Sequence, residues 1–200
     1  MWRKSLGNKC KPIVHKDETR LMGLELFVKS SKFIFFNSYL PYCSPNNHDD
    51  FISYLSKMED IISSANTPYI YFLGDFNADI FKAHLFGQEL KQFCLDQQLI
   101  LSDTLYLEPS TTYTYMSQQT RSWLDHMLCT SSAHSLVTSV NVDYQTLTSD
   151  HFPPTIELTT CDAVENCKQE SKAYEKNHLI SWSELTPEKI QAYTNIFQEQ

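Results

Sequence analysis

The chain has 200 residues, of which 42% are hydrophobic and 20% charged, an ordinary composition for a globular domain with a single core. Its formal net charge is −8. That charge excludes a protein that coats nucleic acid by bulk electrostatics, because such binding depends on basic side chains that neutralise phosphates. An acidic protein can still act on phosphate esters when a divalent metal ion joins its carboxylates to the substrate.

The cysteines and the apolar runs predict a reduced, intracellular protein that makes no use of a membrane. No apolar run reaches the roughly 18–20 residues of a membrane span, and the first residues lack the apolar core of a secretory signal. The six cysteines are scattered without a C-x-x-C pair, which is typical of free thiols and not of disulfides or a zinc site. The sequence does not indicate whether the protein is nuclear or cytoplasmic.

The first half of the chain predicts strands and helices in alternation. The apolar segments 20–28 and 33–40 are separated by the polar KSSK and predict a β-hairpin. Apolar side chains at helical spacing then predict an amphipathic helix over about 47–64. The continuous apolar run 68–73 predicts a strand buried on both faces. A second helical pattern follows around 86–94.

Strands predominate in the second half. Segments 111–116 and 122–129, joined by the polar SQQTR, predict a second hairpin, and 136–142 and 154–158 predict two further strands. Early alternation followed by strands favours an α/β fold with mixed sheets over a helical bundle.

The composition changes after residue 158. Residues 159–183 are polar and aperiodic, which predicts a linker. In 184–200, Thr186 is a suitable helix cap and Pro187 a suitable first helical residue, so this segment predicts the start of a helical connector. We therefore expect one domain over 1–158, followed by the linker and the connector.

Polar side chains stand at or near the ends of the predicted strands. Asp75 and Asn77 belong to GDFNA, Asp125 lies in an otherwise apolar strand, and Asp150 and His151 precede the last strand. A buried carboxylate is costly unless it is paired or takes part in chemistry. Taken singly, each motif also has a structural explanation, because Gly, Asp and Asn are the usual turn residues and an isolated Asp can serve as a hydrogen-bonding group.

Together, and in this order, the motifs resemble those of the endonuclease/exonuclease/phosphatase superfamily, which includes DNase I-like and apurinic endonucleases. The matching segments are NSYLP (37–41), GDFNA (74–78), SWLDHML (122–128) and SDHFP (149–153). The resemblance covers about residues 1–158, and within the superfamily the chain looks most like the endonuclease domain of LINE-type non-LTR retrotransposons. It implies an α/β fold that is part of a four-layer sandwich of mixed sheets.

The resemblance implies a role in phosphodiester hydrolysis for each polar residue. Asp75 would orient and deprotonate the attacking water, and Asn77, on the same side of an extended stretch, would hold the water or a phosphate oxygen. His151 would contact the scissile phosphate, and Asp125 would hydrogen-bond its ring and favour the charged form.

The resemblance also implies a metal ion, a substrate and a partner. Tyr39 would donate its hydroxyl to the phosphate, and Asp150 would be a ligand of Mg²⁺, with Mn²⁺ as the alternative ion. DNA would be the substrate, and a reverse transcriptase domain would follow in a full-length element. His126 should point to the strand face opposite Asp125, which indicates a structural role.

Two departures from the family pattern qualify this expectation. Tyr42 follows YLP where apurinic endonucleases have Asn, which disfavours a role in abasic-site repair. The leading strands of the family, with their Asn and metal-binding Glu, have no counterpart before residue 20. We therefore expect the leading strands to be missing and the chain to be marginally stable and weakly active or inactive.

Three functions remain open from the sequence. The first is a fragment of a Mg²⁺-dependent DNA endonuclease of retrotransposon type. The second is a phosphatase-type member of the same superfamily, which the short loops near GDFN and SDH disfavour. The third is a non-catalytic retroelement remnant that acts as a binding module.

Overall fold

The structure, a computed structural model, describes residues 4–13, 19–145 and 149–159. Two short 3₁₀ helices, Lys4–Lys9 and Pro45–Asn47, accompany the strands and α-helices of these residues. The strands are β1 (Cys10–Ile13), β2 (Leu21–Val28), β3 (Ser31–Tyr39), β4 (Ile70–Asp75), β5 (Ile100–Leu101), β6 (Tyr115–Met116), β7 (Arg121–Ser122), β8 (Asp125–Cys129), β9 (Val137–Val142) and β10 (Pro154–Leu158). The helices are α1 (His48–Ser64), α2 (Leu85–Asp96), α3 (Asp103–Tyr106) and α4 (Ser131–His134).

Six strands form one mixed sheet in the order β1-β2-β3-β4-β8-β5. Strands β3 and β4 are parallel, with α1 between them in the chain, and the other neighbours are antiparallel. The register places Tyr39 opposite Asp75 and Asp75 opposite Asp125. Three of the predicted site residues therefore meet at one edge of three adjacent strands.

Two helices cover one face of this sheet. Helix α1 begins after Pro45 and carries Phe51, Leu55 and Met58 at helical spacing, and all three side chains are buried. The ring of Phe86 in α2 stacks on Phe51 with 4.2 Å between the centroids. These residues form one core cluster with the apolar side chains of β3 and β4, so burial of this stripe holds the helices on the sheet.

A small second sheet covers the opposite face. Strands β9 and β10 pair antiparallel, and Val137 and Val140 pack against Tyr71 and Met127 of the large sheet. Helices, large sheet and small sheet therefore form successive layers. This architecture confirms the predicted mixed α/β sandwich.

Most of the predicted elements are confirmed, and three of them differ. The strand predicted over 111–116 covers only Tyr115–Met116. The strand predicted over 68–73 runs to Asp75, so the carboxylate belongs to the strand end itself. The prediction of one strand over 122–129 is wrong, because β7 ends at Ser122 and β8 begins at Asp125. Between them the Thr114 hydroxyl accepts hydrogen bonds from the backbone N–H groups of Leu124 and Asp125, at 3.0 and 2.9 Å, where a partner strand would have bonded.

Some predictions fall on residues that the structure does not describe. The predicted linker from residue 160 onward and the connector over 184–200 lie outside the described ranges. Within those ranges, no helix combines the length and apolar character needed to cross a bilayer. The four cysteines in the described part of the chain are unpaired, in line with the prediction of free thiols.

Candidate active site

All six residues predicted for the site line one open cleft of about 610 Å³. They arrive from four parts of the chain: the end of β3, the end of β4, the start of β8 and the segment before β10. The six are Tyr39, Asp75, Asn77, Asp125, Asp150 and His151. The structure therefore brings the whole predicted set together.

The GDFNA motif forms a tight turn at the end of β4. The backbone N–H of Asn77 donates to Asp75 Oδ1 at 2.8 Å, and the side-chain amide of Asn77 donates to Asp75 Oδ2 at 3.0 Å and to the Leu40 carbonyl at 2.9 Å. Asn77 has a φ of +50°, a left-handed conformation that asparagine tolerates better than most residues. The expected extended stretch is therefore wrong, although the turn still places Asn77 beside Asp75.

Asp125 and His151 form a hydrogen-bonded pair. His151 Nδ1 lies 2.9 Å from Asp125 Oδ2, and the Asp125 side chain is 12% exposed. The backbone around His151 is held by Thr114 and Met116, because the N–H of Phe152 donates to the Thr114 carbonyl and the N–H of Met116 donates to the Asp150 carbonyl. These two hydrogen bonds attach the backbone around His151 to the segment between β5 and β8, and this attachment orients the ring.

The other nitrogen of His151 points at Asp75 across a gap. His151 Nε2 and Asp75 Oδ2 are 4.0 Å apart, beyond hydrogen-bonding distance. The Asp125 carboxylate lies beside this gap, since Asp75 and Asp125 are opposite one another in β4 and β8. A water molecule or a phosphoryl oxygen placed between the carboxylate and the ring could contact both.

Burial raises the pKa of Asp75 to about 6. The hydrogen bond from the Asn77 N–H opposes this shift, and the charge of Asp125 adds to it. A carboxylate with a pKa near neutrality binds a proton more readily than an ordinary aspartate and is still ionised at neutral pH. These are the properties required of a general base.

The pKa of His151 is raised above its ordinary range. The hydrogen bond to Asp125 is the main cause, burial opposes it, and the charges of Asp125, Asp75 and Asp150 add to it. The ring therefore favours the imidazolium form, which can donate a hydrogen bond to a phosphate oxygen from Nε2.

Tyr39 and Asp150 lie at the rim of the cleft. The side chain of Tyr39 is 56% exposed, and its backbone carbonyl accepts a hydrogen bond from the Arg20 guanidinium at 3.0 Å. Asp150 is exposed, and one of its carboxylate oxygens accepts a hydrogen bond from the Ser149 hydroxyl at 3.3 Å. Their predicted roles toward phosphate and metal stay predictions.

Several further residues that were not predicted line the cleft or contact its histidine. Arg20, Asn37 and Tyr42 line the cleft, and the Tyr115 ring packs on His151 with 5.1 Å between the centroids. The strand period could have identified Asn37, because it lies two residues before Tyr39 on the same face of β3. Nothing in the sequence around Tyr115 indicates its contact, which depends on a long-range β-bridge to His151.

His126 lies beneath the cleft with a fully buried side chain, which confirms the structural position expected from its strand face. Nδ1 is 2.8 Å from Asp103 Oδ2, and Nε2 is 2.9 Å from the carbonyl oxygen of Ala78. Burial lowers the pKa of His126, yet the charge of Asp103 and the hydrogen bonds raise it above its ordinary value.

Asp75, Asp125 and His151 could together hold a metal ion. Each offers one ligand atom, and these three atoms lie within 4.8 Å of one another. The two carboxylates suit a hard cation such as Mg²⁺ or Mn²⁺, whereas an imidazole nitrogen suits Mg²⁺ less well. The donor set therefore fits a hard divalent ion held mainly by the carboxylates, with coordination positions left for water and phosphate.

Comparison with known proteins agrees with this site. A protein-family model described as endonuclease-reverse transcriptase matches residues 35–155, which is more than half of the chain and includes all six predicted site residues. The chain belongs to this endonuclease-reverse transcriptase family. Its fold is that of the wider endonuclease/exonuclease/phosphatase, DNase I-like superfamily, as the motifs predicted. Comparison with curated protein sequences found no match.

Solved structures share the fold of this family member at low sequence identity. The endonuclease domain of TRAS1, a telomere-specific non-LTR retrotransposon, has a TM-score of 0.62 and 17% identity over 76% of this chain and 68% of that one. The 3′ phosphatase NExo from Neisseria, bound to a product DNA hairpin, has a TM-score of 0.59 and 18% identity over 76% and 71%. The AP endonuclease LMAP from Leishmania major has a TM-score of 0.58 and 16% identity over 70% and 55%.

Proposed function

We propose that this protein is a metal-dependent phosphodiester hydrolase that cleaves DNA, of the retrotransposon endonuclease type. The observation that carries the proposal is the 4.0 Å gap between Asp75 Oδ2 and His151 Nε2. A raised-pKa carboxylate stands on one side of this gap and an imidazole with a raised pKa on the other. A water molecule or a phosphoryl oxygen between them would meet a proton acceptor and a charged proton donor.

The side chains have complementary tasks in this reaction. Asp75 accepts a proton from the attacking water, and Asn77 holds the Asp75 carboxylate in place through two hydrogen bonds. His151 donates a hydrogen bond from Nε2 to a phosphoryl oxygen, where negative charge increases in the transition state. Asp125 fixes the orientation of the ring through Nδ1. The hydroxyl of Tyr39 would donate to the same phosphate from the rim.

Asp75 and Asp125 would hold the metal ion, with Asp150 reaching it directly or through water. The chemistry that such an ion supplies is neutralisation of negative charge at the phosphoryl oxygens. This assignment also accounts for how a protein with a net charge of −8 approaches a polyanion, because the ion offsets the carboxylates that would otherwise repel the phosphate.

Three observations support DNA and a retrotransposon origin. The matched family is described as endonuclease-reverse transcriptase, TRAS1 is described as a non-LTR retrotransposon, and NExo was solved with a DNA hairpin. We propose a reverse transcriptase domain as the partner within a longer polypeptide and an intracellular place of action. Unpaired cysteines in the described part of the chain agree with a reducing compartment.

A phosphatase-type activity is the second candidate. The NExo 3′ phosphatase shares the fold with a TM-score of 0.59, so the same scaffold accommodates a terminal phosphate. The two activities differ in substrate, since an endonuclease cuts within a strand and a phosphatase needs an end. A non-catalytic binding module is the third candidate.

Nicking of supercoiled plasmid in Mg²⁺ or Mn²⁺ tests the proposal. We expect nicking that EDTA and Asp75→Ala both abolish, while Asp60→Ala, a matched change on the exposed side of α1, leaves it unchanged. A parallel assay with an oligonucleotide carrying a 3′ phosphate distinguishes the phosphatase. Release of phosphate without nicking would favour the second candidate, and a folded sample with neither activity would leave the binding module.

A further inference from the structure

A buried ion pair lies directly under the candidate site. Asp103 and His126 are each 1% exposed, and their side chains meet at 2.8 Å between Oδ2 and Nδ1. The second carboxylate oxygen of Asp103 accepts the backbone N–H of Met127 at 3.1 Å. The pair therefore belongs to the core, and it also lines a cavity of about 500 Å³ that shares Asp125 and His151 with the cleft.

Both ring nitrogens of His126 face acceptors. Nε2 is 2.9 Å from the Ala78 carbonyl oxygen, which cannot donate, so this nitrogen must carry a proton. Nδ1 faces the Asp103 carboxylate, which already accepts a backbone N–H. The ring is therefore fixed between the Asp103 carboxylate on one side and the Ala78 carbonyl on the other.

The ring joins the two halves of the site. Asn77 precedes Ala78 in the turn, and Asp125 precedes His126 in β8, so one side chain spans the two segments that carry the catalytic groups. We propose that His126 is a positioning residue that holds the Asp75–Ala78 turn against β8 and so sets the distance from Asp75 to the Asp125–His151 pair. The consequence for catalysis rests on the function proposed above.

The turn needs such support for two physical reasons. The carboxylates of Asp75 and Asp125 repel one another across the paired strands, which drives the turn away from β8. Asn77 also keeps a left-handed backbone that other contacts must stabilise. The further bonds from the turn region to the segment before β8 are the Phe76 N–H to the Leu124 carbonyl and the Trp123 N–H to Asp79.

Wild-type protein offers the first test, by nuclear magnetic resonance of the histidine rings in EDTA. We expect a slowly exchanging Nε2–H proton on His126, because this nitrogen is buried and hydrogen-bonded to the Ala78 carbonyl oxygen. A ring whose Nε2 carries no proton cannot donate to that carbonyl and would overturn the proposal without any variant.

Variants provide the second test. The double variant His126→Phe/Asp103→Asn removes both ring donors without leaving a buried carboxylate unpaired, and His126→Gln keeps one amide donor. His134→Gln is the matched control, because the His134 ring is also hydrogen-bonded, to Ser102 at 2.7 Å, without contact to the turn. All variants are compared at a temperature where circular dichroism shows them folded.

Amide hydrogen exchange measures how firmly the turn is held against β8, independently of activity. We expect protection at Phe76 to fall about tenfold or more in the double variant relative to Phe72 in β4, with partial recovery in His126→Gln. The control should leave the ratio unchanged. Equal protection in the double variant would show that the backbone bonds suffice and would overturn the proposal.

Kinetics then tests the consequence for catalysis. We expect the double variant to lower kcat for plasmid nicking about tenfold to a hundredfold, with KM for DNA within about twofold, because misplaced groups affect the reaction more than binding. A rise in KM with kcat unchanged would contradict the positioning role. Wild-type protein that does not nick would contradict the proposed function only, since the exchange measurement still decides whether His126 holds the turn.

Discussion

The chemistry of the site depends on the unfavourable environment of one carboxylate, Asp75. Its side chain is 12% exposed and faces Asp125, and both features disfavour the charged form. The pKa of Asp75 in the folded protein is therefore about 6, above its ordinary value of 3.8. The same shift that suits Asp75 to accept a proton therefore reduces the stability of the folded protein at neutral pH.

Asp75→Asn should stabilise the protein when no metal is present. The pKa of Asp75 is raised on folding, so its ionisation reduces stability progressively as pH rises from about 4 through about 6. We expect the variant to exceed the wild type by about 1–2 kcal/mol at about pH 7.5, with the difference shrinking below about pH 5. Urea denaturation in EDTA measures this, with Asp60→Asn as the exposed control. A variant that is less stable at every pH would contradict the assignment.

Asp125→Asn should lower the pKa of His151. The hydrogen bond to Asp125 is the main cause of the raised value, and an amide in its place carries no charge. The measurement is a titration of the His151 ring protons by nuclear magnetic resonance in EDTA. The wild-type pKa should lie above the ordinary value of 6.5, and Asp60→Asn should leave it there. An unchanged pKa in Asp125→Asn would show that other neighbours hold the ring charged.

Asp150 is the predicted metal ligand that lies outside the cluster of three ligand atoms. If it reaches the ion directly or through water, Asp150→Ala should raise the apparent Kd for Mg²⁺ about tenfold. The rise of the melting temperature with Mg²⁺ concentration measures this affinity, because an ion that binds only the folded state stabilises it. Asp60→Ala provides the control. An unaltered Mg²⁺ dependence would assign the ion to Asp75 and Asp125 alone.

At the scale of the elements, the parallel pair β3–β4 brings the site residues together, and its close approach depends on Gly74. Gly74 has a φ of +129°, and a Cβ there would lie 2.2 Å from the Ser38 carbonyl oxygen. The residue after it is Asp75, so any movement of the strand end moves the proposed base.

Gly74→Ala should therefore reduce both stability and activity. The clash involves backbone atoms of β3 that cannot rotate away, and we expect a loss of about 3 kcal/mol in the free energy of unfolding. Urea denaturation measures the loss, and Ser56→Ala on the exposed face of α1 is the control, expected to change little. Wild-type stability in Gly74→Ala would mean that β3 and β4 lie further apart than the structure shows.

At the scale of the whole molecule, the net charge of −8 limits how the protein can bind DNA. Long-range attraction is unfavourable, so under the proposed function the affinity for DNA would come from the proposed metal ion and a few contacts in the cleft. We expect binding of a short duplex in Ca²⁺, followed by fluorescence anisotropy, to weaken with salt at a log–log slope no steeper than about −2. EDTA should weaken binding further. A slope near about −5 would indicate an extensive basic surface and would contradict this view.

The sequence by itself determined the secondary structure of the long elements and the membership of the site. Hydrophobic periodicity is a local property, so β2, β3 and α1 were predicted within a few residues. The polar residues at strand ends were identifiable because hydrophobic burial does not explain a carboxylate such as Asp125 in an otherwise apolar strand. Their common function came from the order of four motifs, and the family match over 35–155 agrees with it.

Only the tertiary structure decided how these groups meet. The division of 122–129 into β7 and β8 depends on the Thr114 hydroxyl, and the contact of Tyr115 with His151 depends on a long-range bridge. The left-handed turn at Asn77, the raised pKa of Asp75 and the two hydrogen bonds of His126 likewise arise from neighbours distant in the chain. A sequence pattern records which residues are apolar or polar, whereas distance, burial and hydrogen bonding between remote segments exist only after the chain has folded.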